Sequence, residues 1–295
     1  MRLSPDRRAT LLVPAAAGVT VLLWASSFVV IRAAGADLSP GPLAFTRMFV
    51  GTAVLLVVAA RYRRPLPRGR GLALVIGYGV LWFAGYTVVL NWAEQHLDAG
   101  TAALLVNFAP IIVAVFAGLF LGEGFRRTLV IGIAVAFSGI VLIAVGGSGG
   151  GANDGLGITL GLLAAVLYAA SVLLQKVALR SVDGVTATWL GCAAGLIATT
   201  PFAPQAFNEL AHAPVRAILG VVFLGVGPTA IAFLTWAYAL TRTDAGTLTA
   251  TTLVVPAIAI ALSWVFLGEI PTPLGFVGGA LALLGVTITR RTPHP

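Results

Sequence analysis

The chain carries one ordered set of residues twice, at a fixed spacing. The first copy comprises Asp98-Ala99-Gly100-Thr101, Pro110, Leu121-Gly122-Glu123, Gly132 and Gly139, and the second comprises Asp244-Ala245-Gly246-Thr247, Pro256, Leu267-Gly268-Glu269, Gly278 and Gly285. Each residue of the second copy lies 146 positions after its partner, so no insertion interrupts the match. In an apolar chain, such a duplication is typical of membrane transporters built from two related halves.

The composition supports a membrane protein. Hydrophobic residues make up 59% of the chain and charged residues only 9%. Soluble domains carry about 25% charged residues, because charge covers a surface that faces water. Lipid must therefore be the solvent over most of this surface, and apolar stretches of about 20 residues are long enough to cross it as helices.

The apolar stretches predict ten membrane spans. They cover residues 12–33, 42–60, 71–93, 100–121, 128–146, 156–177, 186–203, 217–240, 246–267 and 273–290. We expect an all-α integral membrane protein with ten transmembrane helices in a five-plus-five repeat around a central cavity. The first repeat covers 12–146, a glycine-rich linker covers 147–155, and the second repeat covers 156–291.

The basic residues predict the orientation. With the N-terminus inside, 15 of the 18 lysines and arginines fall in inner segments, which leaves Arg32, Arg47 and Arg216. The positive-inside rule then places both termini in the cytoplasm and the protein in the cell membrane. Five helices per half is an odd number, so the halves must be inverted relative to each other. The charges of matched positions differ accordingly: Arg126, on the inner side in the first half, has the uncharged Thr272 as its counterpart on the outer side in the second.

Other functional classes lack the residues that they need. The single cysteine, Cys192, excludes an internal disulfide or a cysteine metal cluster, and three scattered histidines give no sign of a membrane enzyme. The net charge of +8 comes from short clusters, so we expect no nucleic-acid partner. We also expect no metal and no cofactor. Glu94, His96 and Asp98 fit a solvated helix end better than a metal site.

Several of these features resemble a known family. The ten spans, Trp24-Ala25-Ser26-Ser27-Phe28, Arg47 and the twin Asp-Ala-Gly-Thr and Leu-Gly-Glu blocks are similar to the drug/metabolite transporter superfamily, and within it to bacterial EamA-type permeases with two EamA domains. The resemblance covers nearly the whole chain. It implies the inverted ten-helix arrangement and export of small metabolites, with amino acids a frequent substrate class. The first span, however, lacks the buried carboxylate of the small multidrug exporters.

Pro110 and Pro256 fall inside the fourth and ninth predicted spans. A proline there removes a backbone hydrogen bond, so we expect matched kinks with a role in gating. Simple shaping of the helix is the alternative. Arg47 lies inside the second span, where an ionisable residue is costly and usually functional. It either orients an anionic group such as a carboxylate or reaches the headgroups as a snorkelling side chain.

The remaining cavity candidates are aromatic and polar side chains within spans. Tyr78, Trp82 and Tyr86 recur every four residues and so share one helical face. A role in helix packing is the alternative for this stripe. The full set of further candidates is Trp24, Ser27, Tyr78, Trp82, Tyr86, Asn107, Ser171, Gln175, Trp236, Tyr238 and Thr251.

The leading hypothesis is an exporter of small metabolites such as amino acids that works by alternating access. The alternatives are an uptake permease or a facilitator for another small solute, such as a vitamin, a nucleotide sugar or a drug. A channel or a membrane enzyme fits least well. The glycines of the repeat permit close helix packing, which leaves a homo-oligomer open.

Overall fold

The computed structural model describes residues 5–62, 64–96, 102, 105–146, 155–267 and 273–289. Within these ranges the regular elements are all helical and none is a strand. The first Asp-Ala-Gly-Thr block, together with Gly268 and Glu269 of the second copy, lies outside the described residues.

The described part of the first half consists of six helices and one π-helical turn. They are α1 (Pro5–Ala34), α2 (Pro40–Tyr62), α3 (Arg70–Gly79), the π turn Val80–Tyr86, α4 (Thr87–His96), α5 (Ala109–Phe120) and α6 (Arg127–Gly146). The segment from α3 through α4 is continuous and spans Arg70–His96.

The second half repeats this order with additional short turns. It comprises α7 (Gly155–Ala178), α8 (Gly184–Thr199), a 3₁₀ turn Thr200–Phe202, α9 (Ala203–His212), α10 (Val215–Leu224), a second π turn Gly225–Ile231, α11 (Ala232–Leu240), α12 (Ala245–Ala250), a 3₁₀ turn Thr251–Val254, α13 (Val255–Leu267) and α14 (Pro273–Thr289).

Seven helices in the described ranges are long and apolar enough to cross a membrane. They are Leu11–Ala34, Pro40–Tyr62, Arg70–His96, Gly155–Ala178, Gly184–His212, Val215–Leu240 and Ala245–Phe266. Three shorter apolar helices, Ala109–Phe120, Arg127–Gly139 and Phe276–Thr289, fall where the fourth, fifth and tenth spans are predicted. The large exposed side chains on these helices are mostly leucine, valine, isoleucine and phenylalanine, which is the surface that a lipid solvent favours.

The two halves share their irregularities as well as their helices. The π turns Val80–Tyr86 and Gly225–Ile231 are both seven residues long and lie 145 positions apart. A helix also begins at the residue before each repeated proline, at Ala109 and at Val255. π turns are rare, so their recurrence at matched positions indicates that the duplication extends to backbone detail.

Helices α6 and α14 touch backbone to backbone. A Cβ atom built on Gly132 would lie 2.7 Å from the Gly285 carbonyl oxygen, and one built on Gly139 would lie closer still to the Gly278 carbonyl oxygen. As the chain advances from 132 to 139 in α6, its partner recedes from 285 to 278 in α14, so the two helices are antiparallel. Small residues are what allow backbones to approach this closely.

The π turns are where the helices of one half cross those of the other. Gly51 of α2 faces Thr229 of the second π turn, where a Cβ atom on the glycine would lie 2.7 Å from the threonine methyl group. Gly195 of α8 faces Phe83 of the first π turn at a similarly close approach. Each half thus inserts a helix against the π turn of the other. The core between them holds the largest buried side chains, Trp236 and Tyr78 among them.

Two ends of the bundle can be distinguished by their residues. The basic end carries Arg126, Lys176 and Arg242. The start of α3 and the end of α7 meet at this same end. The distal end carries Ser39, the start of α2 and Glu209 of α9, where the Glu209 carboxylate accepts hydrogen bonds from the backbone N–H and the hydroxyl of Ser39.

Candidate functional site: a cavity between the two halves

A cavity lies between the two halves, with walls from both. The volume open to the centre of a water-sized sphere is about 50 Å³. A single water needs roughly 10–15 Å³ by this measure, so the cavity has room for only a few waters. A larger molecule fits only if the walls move apart.

Six of the predicted site residues line this cavity together. They come from four different predicted spans and are Trp24, Ser27, Arg47, Trp82, Tyr86 and Asn107. The remaining lining residues were not predicted as site residues, and they are Phe28, Met48, Phe83, Thr87, Leu90, Val106, Tyr168, Phe233, Thr252 and Val255. Tyr168 could have been predicted from the sequence, because it aligns with Trp24 when the two repeats are compared, 144 positions later in the chain.

Arg47 is the one arginine or lysine among the described residues that line the cavity. The residue is only 8% exposed, and its Nε donates a hydrogen bond of 2.7 Å to the Thr229 hydroxyl. Thr229 in turn donates to the Leu224 carbonyl at 2.8 Å, at the start of the second π turn. The π turn therefore holds one side of the guanidinium and fixes its position against the cavity wall.

Beside the cavity, the rings of five residues form an aromatic layer: Trp24, Trp82, Tyr168, Phe233 and Trp236. Trp24 lies 4.9 Å from Trp236 and 5.4 Å from Phe233, and Trp82 lies 5.2 Å from Tyr168, measured between ring centroids. The tilted and edge-on geometries are those that aromatic pairs prefer. Because the rings come from both halves, the layer joins the halves beside the cavity.

Hydrogen bonds tie the aromatic layer to the backbone and to α7. The Trp24 indole donates to the Pro228 carbonyl at 3.2 Å, and the Trp236 indole donates to the Gln175 side-chain oxygen at 3.1 Å. Nearby, the hydroxyls of Thr20 in α1 and Thr235 in α11 lie 2.8 Å apart. The two halves are thus held together by polar contacts as well as by ring packing.

At the basic end, the repeated motifs of the two halves bind each other. The Glu123 carboxylate accepts hydrogen bonds from the backbone N–H groups of Ala245 and Gly246, at 2.7 and 3.1 Å. Arg126 pairs with Asp244 at 2.5 Å and donates to the Thr247 hydroxyl at 2.7 Å. We call these six residues together the basic-end latch. The Leu-Gly-Glu block of the first copy, with the nearby Arg126, therefore binds the Asp-Ala-Gly-Thr block of the second.

Lys176 reinforces the same region from α7. Its Nζ donates to the carbonyl oxygens of Leu240 and Thr243, at 2.7 and 2.5 Å. Leu240 is the last residue of α11, where carbonyl groups lack partners within the helix. The lysine thus supports the turn that leads into the latch.

At the distal end, Glu94 departs from the solvated position expected for it. One carboxylate oxygen of Glu94 is buried without a hydrogen-bond partner, and so is the side-chain oxygen of Asn91 one turn earlier. The Asn91 amide donates to the Pro40 carbonyl at 3.1 Å. Glu94 also interacts electrostatically with Arg47 and Arg32. No cluster of three or more potential metal ligands occurs among the described residues, and Asp98 lies outside them.

The other predicted site residues do not line the cavity, and each has a different set of contacts. The Tyr78 hydroxyl donates to the Ala187 carbonyl on α8, and the Ser171 and Thr251 hydroxyls donate to carbonyls of the preceding turn. The side chains of Gln175 and Trp236 bind each other. Tyr238 lies near the basic end, with the Arg242 guanidinium 3.8 Å from its ring centroid.

The separation of Tyr78 from Trp82 and Tyr86 has a backbone cause. The spacing of four residues places them on one face only in an uninterrupted α-helix. The π turn begins at Val80, between Tyr78 and Trp82, and its wider turn changes the direction in which the following side chains project. Only the two members within the π turn reach the cavity.

The repeated prolines each lie in the first turn of a helix that follows a break. Pro110 is the second residue of α5, after a turn at Asn107 and Phe108, and Pro256 is the second residue of α13, after the 3₁₀ turn. Proline is tolerated at this place because the first N–H groups of a helix have no partner within it. Asn107 lies in the first break and Thr252 in the second, and both line the cavity.

A cavity with a buried arginine, between apolar helices long enough to cross a membrane and contributed by two related halves, is the arrangement of a multi-pass membrane transporter. The chain belongs to the EamA-like transporter family, which it matches over residues 14–145 and 155–291. The two matched ranges follow the two repeats.

Individual relatives agree over nearly their full length. The chain is 36% identical over 275 residues to a "probable terminal-alkyne amino-acid exporter" from Streptantibioticus cattleyicolor, with 93% of this chain and 92% of the relative covered. It is 24% identical over 280 residues to a "probable amino-acid metabolite efflux pump" from Escherichia coli, with 92% of each covered. A solved crystal structure superposes with a TM-score of 0.76 at 22% identity, covering 96% of both chains, and so shows the same fold.

Proposed function

We propose that this protein exports small metabolites, amino acids among them, across the cell membrane by alternating access of a central cavity. The observation that carries the proposal is the basic-end latch, in which the repeated motifs of the two halves bind each other beside a cavity that both halves line. One closed end beside a cavity shared by the two halves is what one state of an alternating-access carrier requires.

The arrangement proposed is ten helices in two inverted repeats, 12–146 and 156–291. The glycine contacts of α6 and α14 support it. Under the 146-residue correspondence, the pair Gly132–Gly285 becomes the pair Gly278–Gly139, and both pairs are in contact. Reciprocal contacts between antiparallel helices are what a twofold axis perpendicular to them generates. Such an axis turns one half upside down relative to the other.

The orientation proposed places the basic end, and both termini, in the cytoplasm. The latch and the aromatic layer then separate the cavity from the cytoplasm. The state described is accordingly one closed to the inside, reached after a substrate has left the cytoplasm. Return to the inward-open state requires the contacts of Glu123 and Arg126 to break and Trp24 to part from Trp236.

The proposed cargo draws on two sources. Relatives from Streptantibioticus and Escherichia carry names that refer to amino-acid export or efflux. In addition, the cavity combines one buried guanidinium with apolar and aromatic walls, which suits a small molecule with one polar end.

Counterflow in liposomes tests the proposal. Purified protein is reconstituted into vesicles loaded with an unlabelled amino acid, and uptake of the same labelled amino acid is followed. A carrier gives transient accumulation above equilibrium, because the excess unlabelled amino acid inside competes with the labelled molecules for the outward step. A panel of the common amino acids without counterflow for any of them would overturn amino-acid export. Linear, non-saturating flux would instead indicate a channel.

Uptake and facilitated diffusion share the same cavity and are separated from export by direction. Cells can be loaded with a labelled amino acid by feeding them a dipeptide that they hydrolyse. Cells that express the protein should then retain less of the label than cells with the empty vector. Greater retention would support uptake in place of export.

A further inference from the structure

The charge on Arg47 is buried and lacks an acidic ion-pair partner among the described residues. The ion pairs found in this part of the chain join Arg126 to Asp244 and Arg216 to Asp37, and neither includes Arg47. Its Nε is engaged by the neutral Thr229 hydroxyl. A buried charge without an ion-pair partner in contact with it is unfavourable unless something compensates it. Since Arg47 lines the cavity, a ligand there can place a negative charge in direct contact with the guanidinium.

The rest of the cavity wall carries no acidic residue within the described part of the chain. Glu94, the acidic group that interacts electrostatically with Arg47, is not among the lining residues, and the ion pairs of the described residues do not join the two. A cationic group in the cavity would therefore be repelled by the Arg47 guanidinium, and the described part of the wall has no carboxylate to bind that group. An amine is disfavoured, and an anion is favoured.

The shape of the anion is limited by the aromatic walls. Trp24, Trp82, Tyr86 and Tyr168 line the cavity close to one another, with the Tyr86 and Tyr168 ring centroids 5.7 Å apart. Rings arranged in this way offer flat, apolar faces for stacking. A guanidinium presents parallel N–H donors that match the two oxygens of a carboxylate.

We propose that the substrate class of this cavity is a small carboxylate with a flat apolar body, bound through its carboxylate to Arg47. The amino group of an amino acid is not the recognised feature. The inference rests on the proposed function for its transport role, but ligand binding to the cavity can be measured without transport.

Thermal unfolding of the purified protein in detergent provides that measurement, since a ligand that binds only the folded state raises the Tm. Four probes separate the chemical features. Phenylalanine has a carboxylate, an amine and a ring; 3-phenylpropionate lacks the amine; phenethylamine lacks the carboxylate; and alanine lacks the ring. We expect the first two to raise the Tm at millimolar concentration, alanine to do so less, and phenethylamine not at all. A shift with phenethylamine equal to that with 3-phenylpropionate, or no shift with either carboxylate, would overturn the inference.

Variants at Arg47 localise the effect. Arg47→Gln should abolish the shift caused by 3-phenylpropionate, while Arg47→Lys should retain a reduced one, because it keeps the charge and loses the paired donors. Arg216→Gln is the matched control, since Arg216 is exposed and lies at the distal end next to Asp37. A full shift in Arg47→Gln would contradict the assignment of the carboxylate to Arg47.

Thr229→Val gives a second, milder test that leaves the charge in place. It removes the hydroxyl that fixes the Arg47 Nε and should weaken the response to 3-phenylpropionate several-fold without abolishing it.

Binding with the expected preference but no counterflow would sustain this inference and refute transport. Counterflow of amino acids without any carboxylate preference would do the reverse.

Discussion

Gly132 of α6 and Gly285 of α14 face each other so closely that a Cβ atom on Gly285 would lie 2.5 Å from the Gly132 carbonyl oxygen. The related pair, Gly139 and Gly278, is equally close. Each helix therefore presents two glycines to the other, seven residues apart, and the fifth and tenth predicted spans form a tight antiparallel pair. The same glycines belong to the repeated motif, so the duplication preserves the residues that hold its own two copies together.

Gly139→Ala should destabilise the protein. Its Cβ atom would meet the Gly278 carbonyl oxygen and, at 2.7 Å, the Ala282 backbone nitrogen, and backbone cannot rotate away. Overpacking of this kind costs about 1–3 kcal/mol. We expect a clear decrease in Tm of the purified protein, measured by thermal unfolding in detergent. Gly18→Ala is the control, because its Cβ atom would meet nothing within 4 Å and alanine favours the helix. Equal Tm values for the two variants would argue against the close packing.

Glu123→Ala should open the basic end. The substitution leaves two backbone N–H groups at the start of α12 without their acceptor, and hydrogen bonds to charged groups contribute about 1.5–3 kcal/mol each. A cysteine placed at the buried Thr20, in a Cys192→Ser background, should then react several-fold faster with a maleimide. Glu209→Ala, which removes a carboxylate at the distal end, should leave the rate unchanged. Slow labelling in both would show that Glu123 does not hold this end closed.

Exchange of Arg126 and Asp244 should reveal a small coupling. Their side chains are 39% and 45% exposed, so solvent screens the pair and its contribution should be about 0.2–1 kcal/mol. Each single charge reversal should lower the Tm, and the double variant Arg126→Asp/Asp244→Arg should recover part of the loss. The recovery should decrease at high salt. A double variant less stable than either single variant would contradict a pairwise attraction.

Pro256→Ala should slow transport without impairing ligand binding. Proline lacks the N–H that would join α13 to the preceding 3₁₀ turn, and alanine restores it. A stiffer ninth span should reduce the rate of counterflow while the Tm shift caused by ligand is retained. Pro14→Ala provides the control, because Pro14 is an exposed proline inside α1 and is not among the cavity-lining residues. An unchanged rate in Pro256→Ala would remove this proline from the gating hypothesis.

The helical class and the duplicated halves could be predicted from the sequence because both depend on composition and spacing. Apolar runs require helices in lipid, and a constant offset requires a repeat. Part of the candidate cavity could be predicted as well, since Arg47, Trp82 and Asn107 are unusual residues inside apolar stretches. Single aliphatic wall residues such as Leu90 and Val106 have no such signal, because the same residue types cover the lipid-facing surface.

Sequence spacing failed where the backbone departs from a regular helix. Tyr78 and Trp82 share a face only if α3 continues unchanged, and the π turn begins between them. No residue pattern of that segment reveals the π turn, although its recurrence in the second half becomes visible once the structure is known. The latch was equally hidden, because Glu123 and Ala245 are 122 positions apart and meet only after the two halves have packed.

The aromatic layer affects whether protons can leak across the membrane through this protein. Rings of Trp24, Trp82, Phe233 and Trp236 pack at centroid distances of 4.9–6.0 Å and so fill the space beside the cavity with apolar matter. Protons cross membranes rapidly along files of hydrogen-bonded water, and such a file needs polar partners that the faces of these rings do not offer. A carrier that works by the proposed alternating access can, with its rings packed in this way, change its access from one side to the other without dissipating the electrochemical gradient of the membrane.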